Sequence, residues 1–316
     1  MRIISYLLPC LLTWSSLLRA QPLINTLTGH SGAVNSIAVS PDGDCLVSGG
    51  KDETIRIWDL KSGQLRKTIS TSGSSVKRVS FRPDGKAFLA GLYCRFAEVD
   101  LNSYKMRYSQ KKAHSSFVET CIYSADADYI LTSSWRDKTL VAWKARGFKK
   151  QVETQEVTWV DNAIFNSNNS LILSGGHDNL VKIWDFSTGS LVKSMAGHDD
   201  WVYDLCLSAD EKTLYSGSFD RTIKIWDLNT NKNIATLKGH HEGIVCLDLS
   251  ADGKYLASGG MDSTVVIWDL ATRKELSRLT GHEGPVMDVK FSPDGKRIYS
   301  CSIDKTIRVW DLSALE

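Results

Sequence analysis

Apolar positions recur along this chain at one long interval. Val34, Val76, Val118, Val160, Val202, Ile244 and Val286 follow one another at 42 residues without a miss. A strict period of that length means one supersecondary unit copied many times. Within a unit the pattern is that of short strands. In the sixth, Ile244-Val245-Cys246-Leu247-Asp248-Leu249 reads as a strand and Ala251-Asp252-Gly253-Lys254 as a turn. Tyr255-Leu256-Ala257-Ser258 is a second strand, and Met261-Asp262-Ser263 turns the chain again. Thr264-Val265-Val266-Ile267-Trp268 is a third strand, and the alternating Lys274-Glu275-Leu276-Ser277-Arg278-Leu279 a fourth. Strands punctuated by Asp, Gly and Ser every 8–12 residues or so predict an all-β fold. Beyond the N-terminus no long stretch carries a helical period.

Polar positions keep the same time. His30, His114, His198, His240 and His282 fall on the interval, with Ser72 and Glu156 at the two missing beats. Gly-His occurs at 29–30, 197–198, 239–240 and 281–282, and Trp-Asp at 58–59, 184–185, 226–227, 268–269 and 310–311. Paired motifs at these spacings resemble the WD-repeat family over about residues 22–312. The resemblance implies a β-propeller of four-stranded antiparallel blades around a central channel. Seven units, at about 29–69, 71–111, 113–153, 155–195, 197–237, 239–279 and 281–312, predict seven blades. The last unit stops after its third strand. Leu27 lies six periods before Leu279, so residues 22–28 are expected to supply the missing outer strand and close the ring. An open ring would expose strand edges.

Composition narrows the function. The chain has 316 residues, 42% of them apolar, and a net charge of +2. Residues 1–20 hold Arg2 and Arg19 and no acid, so the remainder is neutral and lacks the basic footprint of a nucleic-acid-binding protein. Residues 3–18 are uncharged, too few to span a bilayer in the usual way. They resemble a secretory signal cleaved after Ala20, although Leu18 and Arg19 fit a cleavage site poorly. On that reading the protein is secreted, periplasmic or in the secretory pathway, residues 21–316 form the propeller, and no membrane insertion follows signal removal. A short membrane anchor and a cytoplasmic protein without a signal are the alternatives. Cys45, Cys94, Cys121, Cys206, Cys246 and Cys301 show no metal-ligand spacing, so neither metal nor cofactor is expected.

Each well-kept unit contains His, Ser, Asp and Trp at fixed offsets. The sets are His30, Ser48, Asp52 and Trp58; His114, Ser133, Asp137 and Trp143; His198, Ser216, Asp220 and Trp226; His240, Ser258, Asp262 and Trp268; and His282, Ser300, Asp304 and Trp310. Ser, His and Asp together suggest a hydrolase triad. Five identical copies argue against one activated nucleophile, and the resemblance assigns these residues a structural hydrogen-bond chain. The fourth unit keeps Ser174, Asp178 and Trp184 but has Glu156 for histidine. The third has Lys144 after Trp143 and is one residue long. The second is one short, with Ser72, Ala90, Cys94 and Val99 near the four places, and should be the softest blade.

Specificity is expected where the repeats differ. In relatives that bind peptides, the resemblance places contacts at three positions per blade around the upper channel mouth. The first are Ala33, Ser75, Phe117, Trp159, Trp201, Gly243 and Pro285, and the second Asn35, Lys77, Glu119, Asp161, Tyr203, Val245 and Met287. The third are Lys51, Tyr93, Arg136, His177, Phe219, Met261 and Ile303. The partner-binding candidates are Phe117, Arg136, Trp159, Asp161, His177, Trp201, Tyr203, Phe219, Met261 and Met287. Aromatic residues beside Met and Arg are what protein interfaces use as anchors. Equally, some of these side chains can fold inward and merely seal the mouth. The leading expectation is a non-catalytic scaffold that binds a protein or peptide, itself a monomer within a complex. The alternative is a small hydrolase- or lactonase-like propeller enzyme using Asp161, Glu119 and His177 at the mouth.

Overall fold

The computed structural model describes residues 23–109, 112–156 and 158–313. The signal-sequence expectation for residues 1–20 therefore lies outside the described residues. The described chain forms seven four-stranded antiparallel sheets. Six use four consecutive strands, as in blade one with Val34–Val39, Cys45–Gly50, Thr54–Asp59 and Leu65–Ser70. Blade seven takes Val286–Phe291, Arg297–Ser302 and Ile307–Asp311 from the end of the chain and Leu23–Leu27 from its start. That N-terminal strand pairs antiparallel with Ile307–Asp311, Leu27 opposite Ile307, so the ring is closed by joining its two ends.

The first strand of each blade lines the channel, and the fourth is the exposed outer edge. Blade one shows the gradient: its second strand is wholly buried and its fourth almost wholly exposed. The core is a set of clusters between neighbouring blades. One joins Ile57 and Val47 of blade one to Val76, Val79 and Phe88 of blade two. Close approach there depends on small residues in the second strand. A Cβ on Gly49 would lie 2.3 Å from Val76 Cγ1, and one on Gly175 2.6 Å from Val202 Cγ1.

The hydrogen-bond chains pin the turn between second and third strands. In blade one the Trp58 indole N–H donates to Ser48 Oγ (2.9 Å), Ser48 meets His30 Nε2 (2.8 Å), and His30 Nδ1 meets Asp52 Oδ2 (2.9 Å). These partners call for a neutral ring that donates from Nδ1 and accepts at Nε2. Blades five, six and seven repeat the chain through His198, His240 and His282. The asparates are held below the usual carboxylate range. At Asp52 burial pushes upward, but bonds from Thr54, the Ser31 N–H and His30 outweigh it.

Two blades depart from the expected sets. In blade three the hydroxyl is not that of Ser133. Thr132 Oγ1 accepts from Trp143 Nε1 (2.9 Å) and meets His114 Nε2 (2.8 Å). Ser133 stands where blades one, four, five and six have glycine, and its hydroxyl accepts the Thr120 N–H (3.0 Å). The extra residue lies after the hydroxyl, in the turn, so counting back from Asp137 shifts the set by one. In blade four Glu156 accepts from Ser174 (3.0 Å), and Lys182 Nζ bridges Glu156 and Asp178. An ammonium between one buried and one half-buried carboxylate thus replaces the imidazole. In blade two Ala90 and Val99 are fully buried in an apolar cluster, so packing stands in for the missing chain.

Candidate functional site

The upper mouth of the channel is built where the first strands begin. In five blades a backbone bond joins the residue before the first strand to the turn between strands two and three. Lys51, His177, Phe219, Met261 and Ile303 donate their N–H to the carbonyls of Ala33, Trp159, Trp201, Gly243 and Pro285. Blade by blade, this brings two of the three variable positions together. All seven second positions ring one cavity of about 200 Å³, together with Arg78 and Trp135. The register bulge after the first residue of strands such as Val160–Phe165 and Val202–Leu207 turns these side chains into the channel.

Aromatic rings from four blades make a continuous surface over this mouth. Tyr93 meets Phe117 edge-on (5.1 Å between centroids). Lys77 Nζ lies over both Phe117 (5.3 Å) and Trp135 (5.2 Å) and links that pair to the rest. Trp135 stacks on Trp159 (5.9 Å), Trp159 meets His177 edge-on (4.9 Å), and His177 stacks on Trp201 (3.8 Å). Phe219 then touches both Trp201 and Tyr203. Asp161 is the post beneath the surface. One of its oxygens accepts from Trp135 Nε1 (3.0 Å) and the other lies 3.0 Å from His177 Nε2. Burial pushes the Asp161 carboxyl up, against those two neighbours.

The candidates divide by exposure. Trp159 and Trp201 are 42% and 37% exposed, and Arg136 is exposed without a side-chain partner. Phe117, Tyr203, Phe219, Met261 and Met287 are half-buried, and the last four also pack on the blade cores. Asp161 is only 8% exposed and His177 is sandwiched, so both hold the surface rather than present themselves. Trp135 is a site residue that the third-position count passed over in favour of Arg136. It stands three residues after Thr132, as His177 stands after Ser174 and Phe219 after Ser216. Counting forward from the hydroxyl would have found it.

Below the mouth the channel is crossed by charge. Arg78 of blade two reaches Asp204 of blade five (3.7 Å), and Lys290 lies between Asp288 (3.1 Å) and Asp248 (3.5 Å). Asp204 and Asp288 also accept backbone N–H groups of the following blade, from Leu247 (2.7 Å) and Ile37 (3.1 Å). Burial pushes Asp204 up to about 6. This cluster staples blades together, and the sequence reading missed it because its members come from different blades.

The hydroxyls of the repeated sets are held inside the blades, Ser174 by the Trp184 indole (2.9 Å) among them. Ser48, Thr132, Ser216, Ser258 and Ser300 have no exposed surface, and each is engaged by a tryptophan indole. Among the described residues no group of His, Cys, Asp and Glu is arranged to hold a metal ion, and no helix is long and apolar enough to cross a membrane.

Comparison with known proteins agrees with this geometry. The chain is 28% identical over 198 residues to nuclear distribution protein nudF of Aspergillus niger, covering 55% of this chain and 44% of that protein. It is 27% identical to a guanine nucleotide-binding protein subunit beta of Zea mays (55% and 50% covered). To eukaryotic translation initiation factor 3 subunit I of Candida albicans it is 29% identical (54% and 55%). The chain thus spans about half the length of the curated relatives it matches. The family model for the WD domain, G-beta repeat, matches residues 21–59, 106–144, 148–185, 189–227, 231–269 and 273–311. It passes over the segment of blade two, where Ala90 and Val99 stand in place of the repeated serine and tryptophan. With most of its length matched in this way, the chain belongs to the WD40 repeat family.

Proposed function

We propose that this protein is a non-catalytic binding scaffold whose upper face holds a protein or peptide partner. The observation that carries the reading is the aromatic surface of blades two to five. Trp159 and Trp201 are exposed there, yet already fixed in place by His177 and Asp161. Rigid, preordered aromatic groups lose little freedom on binding and bury large areas, which is why they dominate interface energetics. The relatives named as subunits, of a guanine nucleotide-binding protein and of an initiation factor, support a component of a larger assembly. The test is affinity capture with wild type against Trp159→Ala plus Trp201→Ala, both shown to melt alike. Partners held by the face are recovered with the wild type only, and equal recovery would refute the reading.

The compartment is a separate question. Export predicts a mature protein starting at Gln21, and the cytoplasmic alternative predicts that residues 1–20 are retained. The relatives named for nuclear distribution and translation initiation favour the alternative. N-terminal sequencing of the protein from its native source decides between the two.

A further inference from the structure

The exposed charges of the upper rim are unlike those elsewhere on the molecule. Carboxylates on the lower loops and outer strands have partners of their own. Asp44 pairs with Lys61, Asp59 with Arg66, Asp84 with Arg82, and Glu275 with Arg278. Others, such as Asp100, Asp185 and Asp269, accept from nearby hydroxyls and backbone N–H groups. Among the described residues, the carboxylates with neither a hydrogen bond nor an ion pair are Glu53, Asp199, Glu242 and Glu283, and all four lie on the upper rim. Three of them sit on the loops that open blades five, six and seven. Asp200, beside Asp199, takes only the N–H of its neighbour Trp201.

These acids adjoin the aromatic surface. Asp199 and Asp200 immediately precede the exposed Trp201. Glu242 immediately precedes Gly243, whose backbone packs against the Phe219 ring. Arg221 and Lys305, in the turns of blades five and seven, and Lys238, at the upper end of blade five's outer strand, are the exposed bases in the same sector, and against Asp199, Asp200, Glu242 and Glu283 acid remains in excess by one. Across the mouth the balance reverses, with Lys51, Arg95 and Arg136 exposed against Glu53. The upper face is therefore polarised along the line of its aromatic rings. Like charges on three consecutive loops repel one another, and among the described residues none of the three acids Asp199, Glu242 and Glu283 is ion-paired. A partner of opposite sign would relieve that repulsion.

We propose, on the strength of the binding face described above, that the partner is basic where it crosses blades five to seven. It is a peptide segment rich in lysine or arginine, adjoining a large apolar residue that seats on Trp201 and Phe219. Rim charges of this kind steer the encounter and set its salt dependence more than they add raw affinity. An acidic segment or a nucleic-acid backbone would meet repulsion in this sector.

The test is selection of a random peptide display library on the full chain, with peptides that also bind Trp201→Ala removed. The surviving peptides are then measured by fluorescence anisotropy against wild type and the combined variant Asp199→Asn, Glu242→Gln and Glu283→Gln. The expected survivors carry clustered bases next to an aromatic or aliphatic residue. Their affinity falls roughly tenfold in the combined variant, and falls likewise on raising salt. Survivors that are neutral or acidic overturn the inference and leave the binding face standing, as do basic ones that bind the combined variant as tightly as wild type. If nothing depends on Trp201, the binding face itself is refuted, and the inference with it.

Discussion

Replacing Thr132 by valine tests the hydrogen-bond chain at the point where blade three departs from its neighbours. Valine keeps the branched shape and removes only the hydroxyl. That hydroxyl accepts from the Trp143 indole (2.9 Å) and meets His114 Nε2 (2.8 Å), with both partners buried. Each orphaned buried group is expected to cost about 1–3 kcal/mol. The pair together then costs about 3–4 kcal/mol, because the imidazole can partly reorient. A chain of this size unfolds with an entropy of about 0.6 kcal/mol/K, so the melting temperature should fall by about 5–7 °C. Ser133→Ala is the control. It removes one acceptor, for the Thr120 N–H, and should cost about 1 kcal/mol, or roughly 2 °C. The assay is differential scanning fluorimetry at matched scan rate, with chemical denaturation to confirm the order. If Ser133→Ala costs as much as Thr132→Val, the assignment of the chain to Thr132 is wrong.

Four further outcomes follow from the same physics. Lys182→Met leaves the Glu156 and Asp178 carboxyls facing each other and should destabilise by about 3–5 kcal/mol in urea titration, less at low pH, where Glu156 can take a proton. Deleting residues 22–28 removes the strand paired with Ile307–Asp311 and the buried Leu27; a loss of about 5 kcal/mol is expected, and an unchanged melt would contradict closure by this strand. Burial holds His30 and His282 below the ordinary histidine value, against Asp52 and Asp304, so the folded state favours the neutral ring. Their contribution is complete above about pH 6.5 and is lost as pH falls through the folded values. Asp204, pushed up to about 6, acts in the opposite sense, losing stability as pH rises through that value. It is common to both proteins, so its effect cancels when the pH slope of His282→Asn, expected to be shallower, is compared with that of wild type. Blade two lacks the chain and has an outer strand of only three residues, Met106–Tyr108, so hydrogen exchange should find Phe96–Asp100 less protected than Val265–Asp269 of blade six.

The sequence by itself determined what a single blade needs. One blade must alternate its strands, turn between them and satisfy its own buried polar groups, and the 42-residue interval records all three. Blade number, the closing strand and most members of the hydrogen-bonded His, Ser, Asp and Trp sets were legible for that reason. Even the two misplacements in blade three were avoidable. Thr132 and Trp135 keep the interval, and only Asp137 and Trp143, beyond the inserted turn residue, leave it. The replacement of a histidine chain by Glu156, Lys182 and Asp178 was half visible, since Glu156 stood on the histidine beat. Lys182 was not, because its place in the strand is held by Arg56 and Lys224 in other blades with no such role. Only the tertiary structure decided what happens between blades. Closing the ring sets the angle at which seven first strands meet the channel, and so which side chains face one another. The stacking of His177 on Trp201, the reach of Arg78 to Asp204 and the line of unpaired acids beside the aromatic rings all join residues of different repeats. No spacing along the chain encodes those meetings, because they arise from the geometry of closure rather than from the period of the unit.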